Sequence, residues 1–260
     1  MKIFFIIIII VIPCTMMIQA SSKDLNIMIV YNNLPFSRNV TCAWGMGCVI
    51  RGFDHTILFD TGGDGNILLS NMRKINIDPQ EIDMVVLSHI HGDHTGGLWR
   101  FLEVNADVTV YLPSSFPGNF KQRVYQMGAK YVEIGKPVEI MPDVFSTGEL
   151  GTWIKEQALV LRTDKGLIII TGCSHPGIVS IAKRAVEVVQ DKIYLITGGF
   201  HLGGTSKREI DNIIKELKAI GVEKIGPSHC TGQQAIESFR NAWGKNFIDG
   251  GCGANIQIRR

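Results

Sequence analysis

The run HIHGDH, residues 89–94, places three histidines and one aspartate within six positions, directly after the apolar run 82–88. Neutral imidazole and carboxylate are ligands for divalent transition metals, and imidazoles are rarely crowded for packing alone. In a tight loop this spacing lets His89 and His91 face one ion while Asp93 and His94 face another beside it. Gly92, Gly96 and Gly97 give the backbone room to do so. Two ions about 3.5–4 Å apart share a bridging hydroxide and clamp attacking and leaving oxygens. Such N and O ligands suit zinc, manganese or iron, and the sequence does not choose among them. The plain alternative is a polar surface loop, but a motif this dense has few other uses.

Such a loop needs a frame, and the chain supplies one in two similar halves. Residues 25–32 read as a strand, and 47–52 with 56–63 as a hairpin turning at 53–55. Residues 64–76 read as a helix with Ile67, Leu68, Met72 and Ile75 on one face. A strand over 82–88, a helix from 96, a strand over 107–113 and a helix ending near 129 follow. The second half opens with two strands around a turn at 163–166, then a helix over 178–190. A strand ends at His201, a helix over 207–221 is closed by Gly221, and another strand ends at His229. A last helix covers 233–244 and a last strand 253–260. Hairpins followed by strand–helix units in both halves suit an α+β fold of two face-to-face sheets with outer helices.

His89, His175, His201 and His229 each sit just past the end of an apolar run, so residues far apart in sequence converge on one rim. His175 and His229 read as ligands, while His201 stands open between a site role and a structural one. His55 reads as a solvated turn residue. Asp60 reads as an acceptor that orients a ligand histidine, as a turn or cap residue, or as both. Loops 32–48, 112–128 and 146–157 border the rim, and their Phe36, Trp44, Phe116 and Trp153 read as packing rather than substrate walls.

Residues 1–20 have one basic residue, Lys2, then an apolar run from Ile3 to Ile12, and end in Gln19-Ala20 before SSKD. This is the layout of a cleaved secretory signal peptide, so a periplasmic or extracellular protein with a single domain over 21–260 is expected. A retained membrane anchor is the alternative, but the run is short of the ~20 residues a span needs. Pro13 just before Cys14 fits a lipoprotein signal poorly. Five cysteines then remain, Cys42, Cys48, Cys173, Cys230 and Cys252. A disulfide between Cys42 and Cys48 and a pair of small buried thiols are both open. The net charge of +2 gives no electrostatic footprint for nucleic acid, and a small-molecule substrate is expected instead.

The segments ILFDTGG, VVLSHIHGDHTGGL, LIIITGCSHPGIV, GGFHL and GPSHCTG together resemble the metallo-β-lactamase superfamily. Within it they are similar to the 7,8-dihydropterin-6-methyl-4-(β-D-ribofuranosyl)-aminobenzene-5′-phosphate synthase-like branch. The resemblance covers nearly all of the chain after the leader and implies a four-layer αβ/βα sandwich with two divalent metal ions. It matches His89 and His91 to the first metal, and Asp93, His94 and His229 to the second. Two positions depart from the common pattern. Residues 146–160 offer no histidine, and TGCSH stands where many members carry TGD. Cys173 thus falls at the place of a bridging aspartate, with His175 two residues on; His175 is the favoured ligand of the two. A thiolate ligand favours zinc.

Because His91 is not the glutamate that redox members often carry, the resemblance implies hydrolysis. The leading expectation is an exported dinuclear hydrolase of an ester, phosphoester, lactone or amide. Asp93 would hold metal and orient the hydroxide, and His201 would protonate the leaving group or touch a phosphate. The alternatives are a pterin–ribofuranosylaminobenzene phosphate synthase-like transferase and a periplasmic metal or ligand binder without turnover.

Overall fold

The computed structural model describes residues 24–259, so the expected leader at 1–20 and Cys14 lie outside the described residues. Among those described, thirteen strands form two sheets. The first holds β1 (Leu25–Asn32), β2 (Met46–Arg51), β3 (Ile57–Phe59), β4 (Met84–Val86), β5 (Thr109–Pro113) and β6 (Lys130–Ile134). The second holds β7 (Val138–Met141), β8 (Val144–Ser146), β9 (Leu159–Thr163), β10 (Gly166–Thr171), β11 (Ile193–Gly199) and β12 (Lys224–Ser228). The last strand, β13 (Asn255–Ile258), crosses back to pair with β1. The orders are β13-β1-β2-β3-β4-β5-β6 and β12-β11-β10-β9-β8-β7.

Side-chain alternation along the central strands divides the core into three layers. Ile168 and Ile170 of β10 pack with Ile27, Ile29, Cys48 and Phe59 between the sheets. Their neighbours Leu167 and Ile169 face the other way, against helices α5 (Ile178–Val189), α6 (Lys207–Ile220) and α7 (Gln233–Trp243). On the far side, Val49, Leu58, Val85 and Val110 pack on α1 (Gly65–Lys74), α3 (Leu98–Val104) and α4 (Gly118–Gln126). Strands covered on both faces read as apolar runs rather than alternations, as β10 does. The result is the expected four-layer sandwich of two mixed sheets with outer helices.

Strands β3 to β6 run parallel, as do β10 to β12, so the C-terminal ends within each set share one edge. The two expected hairpins are present: Ile50 pairs Ile57, and Thr163 pairs Gly166. Strands β6, β7 and β8 carry no sequence expectation. Of these, β6 and β7 are largely exposed and β8 is buried but only three residues long, so none carries the apolar run that marks a strand, and they form by pairing to neighbours.

No disulfide joins Cys42 to Cys48. Cys48 is fully buried between the sheets as a free thiol, which is the small-hydrophobe reading. The packing role expected for four aromatics holds for Phe116, which is buried, but not for Phe36, Trp44 and Trp153. These are 58%, 60% and 95% exposed, too open for core residues.

Candidate metal centre

The histidine motif begins three residues past β4, and its second half forms a single helical turn, α2 (Gly92–Thr95). Gly97 follows because a Cβ there would lie 2.1 Å from Thr61 O, so the turn packs backbone to backbone on the loop after β3. Cys173 and His175 follow β10, His201 follows β11, and His229 follows β12. Strand ends from both sheets thus bring together every residue that the sequence singled out as a ligand.

Two groups form. In the first, His91 Nδ1 lies 3.1 Å from His89 Nε2 and 3.2 Å from His175 Nε2. In the second, His229 Nε2 lies 3.2 Å from Asp93 Oδ2, and Cys173 Sγ 3.2 Å from His94 Nε2. Ligand atoms on a tetrahedral zinc with bonds of ~2.0–2.1 Å are about 3.3 Å apart, so these spacings fit ions seated between them. His229 Nε2 supports the fit: it is buried and makes no well-formed hydrogen bond, despite its short approach to Asp93. The groups touch through the His89 and His94 rings, whose centroids are 4.2 Å apart. His175 sits with His89 and His91, and Cys173 with Asp93, His94 and His229. The two residues therefore belong to different groups rather than replacing one another. His201 is exposed at the rim, its ring 4.4 Å from that of His175.

A buried hydrogen-bond network aims the rings. Asp60, fully buried, accepts from Ser88 N and Ser88 Oγ and contacts His94 Nδ1, each at 2.7 Å. Ser88 Oγ in turn lies 2.9 Å from His89 Nδ1. Of the roles open to Asp60, the structure shows the orienting one; Asp64, four residues on, caps α1. Asn33 Oδ1 lies 2.7 Å from His229 Nδ1. Each of these ring nitrogens is thereby occupied, leaving Nε2 of His89, His94 and His229 to the site. Asp60, Ser174, His201 and His229 also hold positive φ, between 51° and 65°, where L-residues with side chains are seldom found.

Electrostatics follow from this crowding. Burial and the neighbouring imidazoles push the pKa of His89 far down. Burial lowers His175 to about 4, with His201 and His91 adding to it. Burial opposes ionisation of Asp93, but the close approach of His229 and the charges of His94 and His229 outweigh it and hold its pKa low. The lowered imidazoles of the His89–His91–His175 group and the ionised Asp93 are in the protonation states a cation needs, whereas the Asp60 carboxylate raises the pKa of His94 against the effect of burial. His55 is an exposed turn residue, as expected, with Nδ1 3.6 Å from Asp83 Oδ2.

Three residues at the site are not among those the sequence marks for it: Glu156 and Cys230, and Trp44, which reads there as packing. Glu156, fully buried, accepts from the backbone N–H groups of Cys173, Ser174 and His175. A lone acid opening the apolar run of β9 is its one signal. Cys230 places Sγ 3.3 Å from Cys173 Sγ. The Trp44 ring leans on that of His229, with centroids 4.9 Å apart and planes tilted by 54°.

A sequence model described as the metallo-beta-lactamase superfamily matches residues 48–183. A 7,8-dihydropterin-6-methyl-4-(beta-D-ribofuranosyl)-aminobenzene-5′-phosphate synthase from Methanocaldococcus jannaschii is 34% identical over 242 residues, 76% of this chain and 82% of that protein. The crystal structure of Tm1679, a metal-dependent hydrolase of the beta-lactamase superfamily, superposes with a TM-score of 0.76 at 28% identity. The match covers 91% of this chain and all of that one. The metallo-beta-lactamase fold protein YhfI of Bacillus subtilis, at 13% identity and a TM-score of 0.67, shares the fold over 91% of this chain and all of its own.

Proposed function

The chain belongs to the metallo-β-lactamase superfamily, and from that premise we propose a dinuclear-metal enzyme that carries out group transfer on a planar aromatic, phosphorylated substrate. The observation that supports it most is the pair of adjoining ligand groups, His89–His91–His175 and Asp93–His94–Cys173–His229, beside an exposed tryptophan. The Methanocaldococcus jannaschii relative makes a product that carries a pterin, an aminobenzene ring and a ribofuranosyl phosphate. Rings of that kind stack on an exposed indole such as Trp44.

Bound metals would supply Lewis acidity to a substrate oxygen and make a nucleophile available near neutral pH. Zinc is the reading for the second group because Cys173 belongs to it. The chain's own residues do the rest. Asp60 and Ser88 lock the rings of His94 and His89, so the groups are set before substrate arrives. Asp93, held ionised, offers a carboxylate oxygen to the second group and is placed to orient a nucleophile there. His201, at the rim, is placed to protonate a leaving group.

Hydrolysis is the second reading. It is favoured by the likeness to a metal-dependent hydrolase and by the apolar leader, since export separates an enzyme from a cytoplasmic substrate pool. The test is metal-loaded protein, two ions per chain by elemental analysis, assayed two ways. One assay supplies a reduced pterin with an activated methyl group together with a ribofuranosylaminobenzene phosphate. The other is a panel of simple esters, lactones and phosphodiesters. Coupling in the first supports the transferase; turnover in the second alone replaces it with the hydrolase. Inactivity in both by fully loaded protein leaves a metal binder. N-terminal sequencing of secreted protein tests export, and a start at Met1 would overturn it.

A further inference from the structure

Strands β10, β11 and β12 are consecutive parallel neighbours, and each delivers one more potential ligand just past its end: Cys173, His201 and Cys230. One sulfur or ring-nitrogen atom from each lies within 4.8 Å of the others, and the two Sγ atoms are 3.3 Å apart. The backbone is shaped around this approach. Gly199 ends β11, and a Cβ there would lie 2.8 Å from Cys230 Sγ and 2.3 Å from Gly172 O. His201 holds φ +51°, a conformation that side-chain-bearing residues seldom adopt. The group is also reachable, since His201 is exposed and Cys230 half-buried.

We propose that Cys173, His201 and Cys230 form a third, sulfur-rich metal-binding group that takes a thiophilic ion, zinc or copper(I), beside the two groups of the main centre; an ion there occupies the His201 ring and takes it out of the leaving-group role, which belongs to the protein without that ion. Two sulfurs and one imidazole are a soft ligand set, unlike the three imidazoles of His89, His91 and His175. Binding forms two sulfur–metal bonds and one nitrogen–metal bond; Cys230 releases its thiol proton to solvent, and Cys173 releases its own with whichever of its two groups loads first. Cys173 touches both this group and the second one, so its thiolate bridges the two ions when both are bound. Thiolates on one tetrahedral zinc, with bonds of ~2.3 Å, are about 3.8 Å apart, so the pair opens slightly on loading. A fourth position is left to solvent or ligand.

The test is stepwise titration of reduced, metal-free, full-length protein with cobalt(II), read by the sulfur-to-cobalt charge-transfer absorption, with zinc stoichiometry by elemental analysis after gel filtration. We expect three equivalents per chain, the third strengthening the charge-transfer band as Cys230 joins. Cys230→Ser then stops at two equivalents and keeps only the band from Cys173. His201→Ala, a change at an exposed position that leaves the fold alone, weakens the third equivalent without touching the first two. Saturation of the wild type at two equivalents overturns the proposal, as does a third equivalent that persists unchanged in both variants. Failure of the first two equivalents instead strikes the main centre, so the two outcomes are separable.

Discussion

Glu156 Oε2 accepts the backbone N–H of His175 at 2.8 Å, while its other oxygen takes those of Cys173 and Ser174 at 2.9 and 2.8 Å. One buried carboxylate therefore shapes the turn that presents a candidate ligand to each metal group. Burial pushes its pKa up to about 7 against the pull of the three N–H groups. Glu156→Ala leaves those donors unpaired, at about 1–3 kcal/mol each, so a large drop in thermal midpoint is expected. Glu156→Gln keeps the volume but sets an amide N–H against a backbone N–H. It should fold and hold metal poorly in the His89–His91–His175 group. Calorimetry and metal analysis check both variants, and full occupancy in Glu156→Gln would remove the positioning role.

Asp60 makes a second such test. It contacts His94 directly and reaches His89 through Ser88, so one carboxylate aims a ligand of each group. Asp60→Asn preserves size but loses the charge. Outer partners of this kind are worth roughly 10–100-fold in metal affinity, and losses in that range are expected at both groups. Competition against a chromophoric chelator measures them. A loss confined to one group would mean that the Ser88 relay carries nothing.

The sequence made most of this centre legible because its ligands follow apolar strands. A buried strand end is visible as the last residue of a hydrophobic run, and His89, His175, His201 and His229 all stand there. What it concealed depends on tertiary approach. Cys173 and His175 looked like rivals for one position, yet their side chains point into different groups. Cys230 is marked only by its place after His229, and nothing local says that its sulfur meets Cys173. Glu156 lies in the very stretch that seemed notable for lacking a histidine. Its role is to hold backbone rather than metal, and side-chain-to-backbone bonds leave no periodic trace. Strands β6 to β8 are hidden for a related reason, since exposed segments such as β6 and β7, and a three-residue one such as β8, become strands through their partners.

Acid sensitivity follows from His175. Burial first, then the charges of His201 and His91, lower its folded pKa from 6.5 to about 4. The unfolded chain therefore binds more protons between those values, and stability rises with pH across that window. The contribution is fully present above pH 6.5 and is lost as pH falls toward and through 4. The thermal midpoint of metal-free protein should fall on acidification over this range, with a shallower slope in His175→Ala. Equal slopes would show that His175 is not the group responsible. Metal-loaded protein should be more stable throughout, by about 2.7 kcal/mol at a free metal concentration one hundred times the dissociation constant.

Trp44 tests the substrate reading. Its indole is 60% exposed yet fixed, with its ring 4.9 Å from His229 and the following Gly45 pressed so close to Asp93 that a Cβ would lie 2.4 Å from Asp93 O. An anchored, half-open aromatic beside a metal ligand offers a face to a flat substrate at little entropic cost. Stacking contributes about 0.5–1.5 kcal/mol beyond burial, or roughly 2- to 12-fold in binding. Trp44→Ala should therefore raise KM for a pterin-bearing or other fused-ring substrate by about that factor and leave kcat near its wild-type value. Trp44→Phe should recover most of the loss. For a small aliphatic ester or lactone the same variants should show no change in KM. Steady-state kinetics on matched aromatic and aliphatic substrates decide the matter: an equal effect on both would mean that Trp44 supports His229 rather than the substrate.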